Sequence, residues 1–179
     1  MKPGSMWAAG MAAMAMGIGA AAAWAENGLA VIGSTKEPGV LGTVTLQDTP
    51  DGVAVTVQLA GAPPGQHAVH IHQYGDCARG GEAAGGHFNP EKTPHGFVPK
   101  DGVTSAHPGD MGNIDVGKDG SGSLTVTLPG VILGSGPFSV GGRSIVVHER
   151  ADDFSQPTGN AGGRIGCGVI VLTEPMTSE

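Results

Sequence analysis

Residues 67–77 read HAVHIHQYGDC, with three histidines in six positions ahead of one of the chain's two cysteines. On an extended segment His70 and His72 leave the same face, so their imidazoles can converge on one cation. His67 has the opposite parity and is expected to support the sheet. A lone H-x-H is weak ground for a metal, but His87, His95, His107 and Asp110 follow within one stretch. Three imidazoles and a carboxylate make a tetrahedral set that zinc accepts without an open position. His148 closes the apolar run SIVVH. Imidazole-rich sites suit copper as well as zinc, and of these two only copper changes oxidation state. Metal-based redox chemistry is therefore within reach of these side chains.

The elements that must hold them alternate with a period of two. Residues 42–47 (GTVTLQ), 53–59 (VAVTVQL), 123–128 (SLTVTL) and 144–148 (SIVVH) alternate or run β-branched, bounded by Asp51-Gly52, Pro63-Pro64-Gly65, Asp119-Gly120 and Gly141-Gly142. Residues 29–33, 66–72, 113–116 and 168–172 complete about eight strands, and no window after the leader reads as an amphipathic helix. An all-β, eight-stranded antiparallel sandwich or barrel follows. Residues 74–109 break the pattern: rich in Gly and Pro, they hold Cys77, His87, His95 and His107. A loop this long is expected to be functional and fixed by something, and the histidines point to a metal. A second irregular stretch, 149–163, leads to Arg164 and Cys167.

At 179 residues the chain suits one domain with an ordinary core. Residues 1–25 read as a secretory signal peptide: Lys2 is the only charge, residues 6–24 are nearly all apolar, and Ala23-Trp24-Ala25 offers a cleavage site before Glu26. The run is mostly Ala, Gly and Met, which insert weakly, so a retained membrane span is the lesser reading. Residues 26–179 form the functional domain, expected in the periplasm or outside the cell without stable membrane contact after cleavage. In that compartment disulfides persist, and Cys77 and Cys167 are the only available pair. Net charge is −7, or −8 once Lys2 is lost, and no basic run is present, which argues against nucleic acid as a partner.

Five strings, HIHQYGD, GGHFNP, HPGDMGN, VVHERADD and GNAGGRIGCGV, occur in an order that resembles the copper,zinc superoxide dismutase family over nearly all of residues 29–172. The resemblance implies a Greek-key sandwich or barrel with a long metal-binding loop. It assigns copper to His70, His72, His87 and His148, and zinc to His87, His95, His107 and Asp110. His87 would bridge the two metals. Asp152 would link His70 to His95 in the manner of outer-sphere carboxylates that orient ligands. Arg164 matches the family's active-site arginine, so Arg164 and His87 are the catalytic candidates.

The implied reaction converts superoxide, the small-molecule substrate, to O2 and H2O2. Residues 140–142 and 168–172 resemble segments that form the two-fold interface of eukaryotic-type members, which leaves a homodimer and a monomer both open. Residues 148–164 are shorter than in those enzymes and lack their lysine and glutamate pattern, so weaker electrostatic steering is expected. Cys77 lies five residues past His72, as in bacterial periplasmic members. The main rival is a non-catalytic copper-binding domain of the same fold. A cupin-like oxygenase shares the H-x-H but lacks its second motif here.

Overall fold

The computed structural model describes residue 1, residues 26–36 and residues 39–174. The rest of the expected leader, residues 2–25, lies outside the described residues. Among the described residues nine strands are assigned: β1 (Asn27–Ser34), β2 (Leu41–Thr49), β3 (Gly52–Ala60), β4 (Gly65–His72), β5 (Asp110–Val116), β6 (Gly122–Leu128), β7 (Ser144–His148), β8 (Arg164–Val169) and β9 (Val171–Thr173). All ladder pairings are antiparallel in the order β2-β3-β6-β5-β4-β7-β8-β1, and β1 returns to β2 to close a barrel. The non-sequential neighbours β3–β6 and β4–β7 are the Greek-key crossovers.

The expected eighth strand appears in two pieces because Ile170 turns its backbone to the segment before β7. Its N–H donates to the Arg143 carbonyl (2.8 Å) and its carbonyl accepts from Gly142 (2.9 Å). The barrel is eight-stranded, with β9 continuing β8 along β1.

Alternation decides which side chains enter the barrel. Val53, Val55, Val57 and Leu59 of β3 face inward beside Val44 and Leu46 of β2 and join one continuous core. In β4 and β7 burial no longer alternates: residues 67–72 and 144–148 are buried throughout. Their inward residues, Val69, Ile71, Ile145 and Val147, belong to the core, while their outward faces are covered by the long loop. That loop carries one 3-10 turn, Glu82–Ala84, and one turn of helix, α1 (Val98–Asp101). Four residues are too few for a 3.6-residue period to register, so α1 left no signal in the hydrophobic pattern.

The disulfide Cys77–Cys167 is formed, joining the loop to β8 across 90 residues of sequence. Outside the barrel, Ala84, Val146 and Cys167 pack with Cys77 in a small apolar cluster that seats the loop. Among the described residues no helix is long and apolar enough to cross a membrane.

Two irregularities re-aim side chains toward the loop. Ala68 pairs with Asn113, but His70 pairs with Asp110 instead of the next residue in register, so β5 holds one extra residue. Gly112 within this bulge has φ 87, and a Cβ there would meet the Phe97 ring at 2.7 Å. Glycine meets both demands. In β8, Gly166 pairs with Val147 and Arg164 with His148, leaving Ile165 as the extra residue. The bulges bring Asp110 opposite His70 and Arg164 opposite His148.

Candidate metal centre

The outward parity of β4 presents His70 and His72, and the end of β7 presents His148. The loop folds back so that His87 bridges in backbone register to His72. His70, His72, His87 and His148 thereby place one ligand atom each within 4.8 Å of one another, and so do His87, His95, His107 and Asp110. The structure brings together every side chain expected in the two sets, with His87 common to both. Its Nδ1 lies 2.9 Å from Asp110 Oδ1 and 3.4 Å from His107 Nδ1, which leaves Nε2 for the other set.

Hydrogen bonds to the remote nitrogens fix how these rings face the centre. His70 Nε2 donates to Asp152 Oδ2 (2.8 Å), His95 Nε2 to Asp152 Oδ1 (2.9 Å), His72 Nδ1 to the Gly85 carbonyl (2.9 Å) and His148 Nδ1 to the Gly162 carbonyl (3.3 Å). A neutral imidazole that donates from one nitrogen offers a lone pair from the other. His70 Nδ1 and His95 Nδ1 are then buried without a hydrogen-bond partner. His72 Nε2 and His148 Nε2, 3.2 Å apart, turn two lone pairs toward each other. His95 Nδ1 also sits 2.7 Å from Asp110 Oδ2 without hydrogen-bond alignment, as two ligands of one cation do. The residues present fit a copper ion in the first set and a zinc ion in the second.

Electrostatics of the metal-free chain agree with that division. Burial lowers the pKa of His72 to about 2 and of His148 to about 3, helped by neighbouring histidines and Arg164, so both rings stay neutral. Burial also lowers His87, to about 4, against a hydrogen bond to Asp110. At His95 burial is outweighed by the two carboxylates against its ring, Asp110 beside Nδ1 and Asp152 hydrogen-bonded to Nε2, which raise it to about 9 when no cation is bound. Burial of Asp110 is likewise outweighed by His107, His87 and His95, which hold its carboxyl well below the usual range. The first set thus presents neutral rings at His72, His87 and His148, whereas the second keeps an ionised carboxylate among its imidazoles.

Asp152 is held by its own frame. Its N–H donates to Asn113 Oδ1 (2.7 Å), and Phe154 N–H donates to its Oδ1 (2.8 Å). Gly159 has φ 70, and a Cβ there would collide with the Asp152 carboxylate and the His95 ring. His67 takes no part in either set. Its nitrogens lie 2.8 Å from the carbonyl oxygens of His148 and Pro63, the supporting place its parity predicts.

Arg164 borders the opening onto the first set, which is lined by His72, Glu82, Gly86, His87, His148 and Thr158 among others. Its Nη1 donates to the Gly81 carbonyl and its Nη2 to the Gly85 carbonyl (2.6 Å). Several contributors escaped sequence reasoning. Gly85 and Gly162 act through main-chain carbonyls, which no residue type advertises. Gln156 clamps the His95 backbone, accepting from its N–H (3.0 Å) and donating to its carbonyl (2.8 Å). Glu82 was findable as a charge five residues before His87.

The family model described as copper/zinc superoxide dismutase (SODC) matches residues 40–170. The chain belongs to the copper/zinc superoxide dismutase family. Superoxide dismutase (Cu-Zn) 2 of Brassica juncea is 42% identical over 154 residues, covering 82% of this chain and 97% of the plant protein. The crystal structure of the clock protein EA4 aligns with a TM-score of 0.72 at 36% identity, covering 82% of this chain and 94% of that one. A double mutant of an SOD-like protein from Bacillus subtilis aligns at 0.70 with 31% identity, covering 80% and 96%. Within this copper/zinc dismutase family, the present chain has His and Asp clusters that match both metal sites and share a bridging histidine.

Proposed function

We propose that this chain is an exported superoxide dismutase. The observation that carries the reading is the pair of four-residue sets sharing His87, with inward lone pairs fixed by Asp152, Gly85 and Gly162. Copper held by His70, His72, His87 and His148 would supply a one-electron couple, by which one superoxide gives up an electron and leaves as O2 and a second takes up that electron and two protons and leaves as H2O2, while His87, His95, His107 and Asp110 would hold a structural zinc.

The remaining work falls to the chain. Arg164 is a fixed cation at the opening, and a guanidinium attracts and orients a small anion by charge-assisted hydrogen bonds. Holding Nη1 and Nη2 on the Gly81 and Gly85 carbonyls sets its direction before substrate arrives. His87, which lines the opening, would be suited to hold a proton on Nε2 and pass it to the reduced product at any stage when that nitrogen does not hold copper. Burial of that ring favours giving the proton up. Asp152 keeps His70 and His95 in one tautomer and orientation.

Export rests on the apolar leader, and the disulfide agrees with an oxidising periplasmic or extracellular location. Exposed Val171 and Leu172 on β9 are consistent with a homodimer, which sedimentation would distinguish from a monomer.

The deciding experiment combines elemental analysis with a dismutase assay on protein recovered from the exporting cell. One copper and one zinc per chain, rapid superoxide removal and an N-terminus at Glu26 are expected. Full loading of both metals without superoxide removal would establish the non-catalytic copper-binding alternative.

A further inference from the structure

Arg164 does not stand alone at the mouth of the site. Glu82, the first residue of the 3-10 turn, places Oε1 3.8 Å from Arg164 Nε, and both side chains line the same opening. Their exposures differ: 68% of the Glu82 side chain meets solvent against 14% for Arg164. An incoming anion therefore meets the carboxylate before it meets the cation. A guanidinium has five N–H donors. Three face the 81–85 segment, at the Gly81 and Gly85 carbonyls and at Glu82, which leaves two for an anion.

A positive group in a narrow opening attracts anions in proportion to their charge, so Arg164 by itself would favour a dianion over a monoanion. A carboxylate beside it removes much of that preference, because its repulsion also scales with the charge of the visitor. Superoxide carries a single negative charge, whereas sulfate and hydrogen phosphate carry two at or above neutral pH. Crowding against Arg164 by abundant dianions is the competition that a monoanion site must resist.

We infer that Glu82 is a specificity-determining residue that sets the charge selectivity of the opening, admitting small monoanions and holding dianions off Arg164. The inference rests on the dismutase reading for the identity of its substrate, and on the geometry of Glu82 and Arg164 for everything else. Glu82 needs no contact with substrate for this role, since it acts through the potential at the opening.

The test uses the exported, disulfide-bonded protein loaded with copper and zinc, and compares wild type, Glu82→Gln and Glu82→Asp. Nitrate and sulfate serve as the monoanion and dianion probes. Each is scored by how well it protects Arg164 from phenylglyoxal, with the label located by mass spectrometry. Each anion is compared with itself across variants, so its size and shape cancel. At a separation of about 7 Å in a water-filled mouth, removing one charge strengthens monoanion binding about three-fold, and doubling the anion charge squares the factor to about seven-fold.

Glu82→Gln is therefore expected to tighten nitrate about three-fold and sulfate about seven-fold, while Glu82→Asp keeps the wild-type ratio. Equal tightening of both anions, no change, or weaker binding would overturn the inference, the last by showing that Glu82 merely positions Arg164. An Asp variant that behaves like the Gln variant would overturn it too. Because the labelling requires no turnover, the selectivity shift stands or falls apart from the dismutase assay. A shift without superoxide removal would sink only the functional reading, and removal without a shift only this one.

Discussion

His67 Nδ1 lies 2.8 Å from the main-chain carbonyl of His148, so a histidine outside both metal sets is tied to the backbone of one inside. Its other nitrogen is held by the Pro63 carbonyl at the start of β4. His67→Ala removes one buried and one half-buried contact and leaves the His148 carbonyl short of a partner, which is expected to lower stability by about 2–3 kcal/mol. Copper content should persist, since His148 retains its strand and its Gly162 contact. Denaturation midpoints alongside metal analysis check this; loss of copper from a folded variant would contradict the assigned role.

Asp152 touches a histidine of each set, so one substitution should be felt at two metals. In Asp152→Asn an amide N–H must face one of two imidazole N–H groups now donating to carboxylate oxygens. Affinity is expected to fall about 10–100-fold at the affected site, as for other outer carboxylates. Competition with chelators, run separately for copper and zinc, measures it.

The metal-free protein should weaken in acid. His72, His148 and His87 have folded pKa values of about 2, 3 and 4, below the ordinary 6.5, so between those limits the unfolded chain binds protons the folded chain does not. Their contribution is complete above pH 6.5 and is lost as pH falls toward the folded values, by about 1.4 kcal/mol per unit for each independent group. His95, raised to about 9, has the opposite sign: its contribution is complete below pH 6.5 and is lost as pH rises through 9. Denaturant titrations of metal-free protein at pH 5, 6.5 and 9 should place the maximum near 6.5. Greater stability at pH 5 would refute the neutral-ring description.

The Cys77–Cys167 bridge closes a loop of about 90 residues, for which chain entropy estimates about 4–5 kcal/mol of stabilisation. The bridge also anchors the turn whose carbonyls aim Arg164. A Cys77→Ser, Cys167→Ser double variant is thus expected to bind both metals while losing about ten-fold in kcat/KM, the scale of one misdirected charge-assisted hydrogen bond. Assays normalised to bound copper separate that loss from unfolding.

Side-chain period was the legible part of this fold. Alternation in VAVTVQL and GTVTLQ places β3 and β2, and parity separates His70 and His72 from His67 before any coordinates are known. The metal sets were legible because seven polar donors recur in strings that have no packing use for them. Less legible were the features made by the backbone. A single extra residue at Gly112 or Ile165 does not disturb composition, yet these bulges turn Asp110 and Arg164 into place. Carbonyl acceptors at Gly81, Gly85 and Gly162 are likewise hidden, since any residue could supply them. The pairing of Glu82 with Arg164 joins positions far apart in the chain and needed the disulfide loop to be folded before it could be seen.

The β5–β6 junction is the thinnest seam of the barrel, joined by the single pair Val116 and Gly122. Helix α1 of the metal loop lies against both strands there, with Val98 buried in the core. Strand edges with unpaired N–H and C=O groups are templates for pairing with another molecule, and proteins commonly block them with a covering segment. The segment between His95 and His107 therefore does a second job: it covers the place where the barrel's own pairing is weakest.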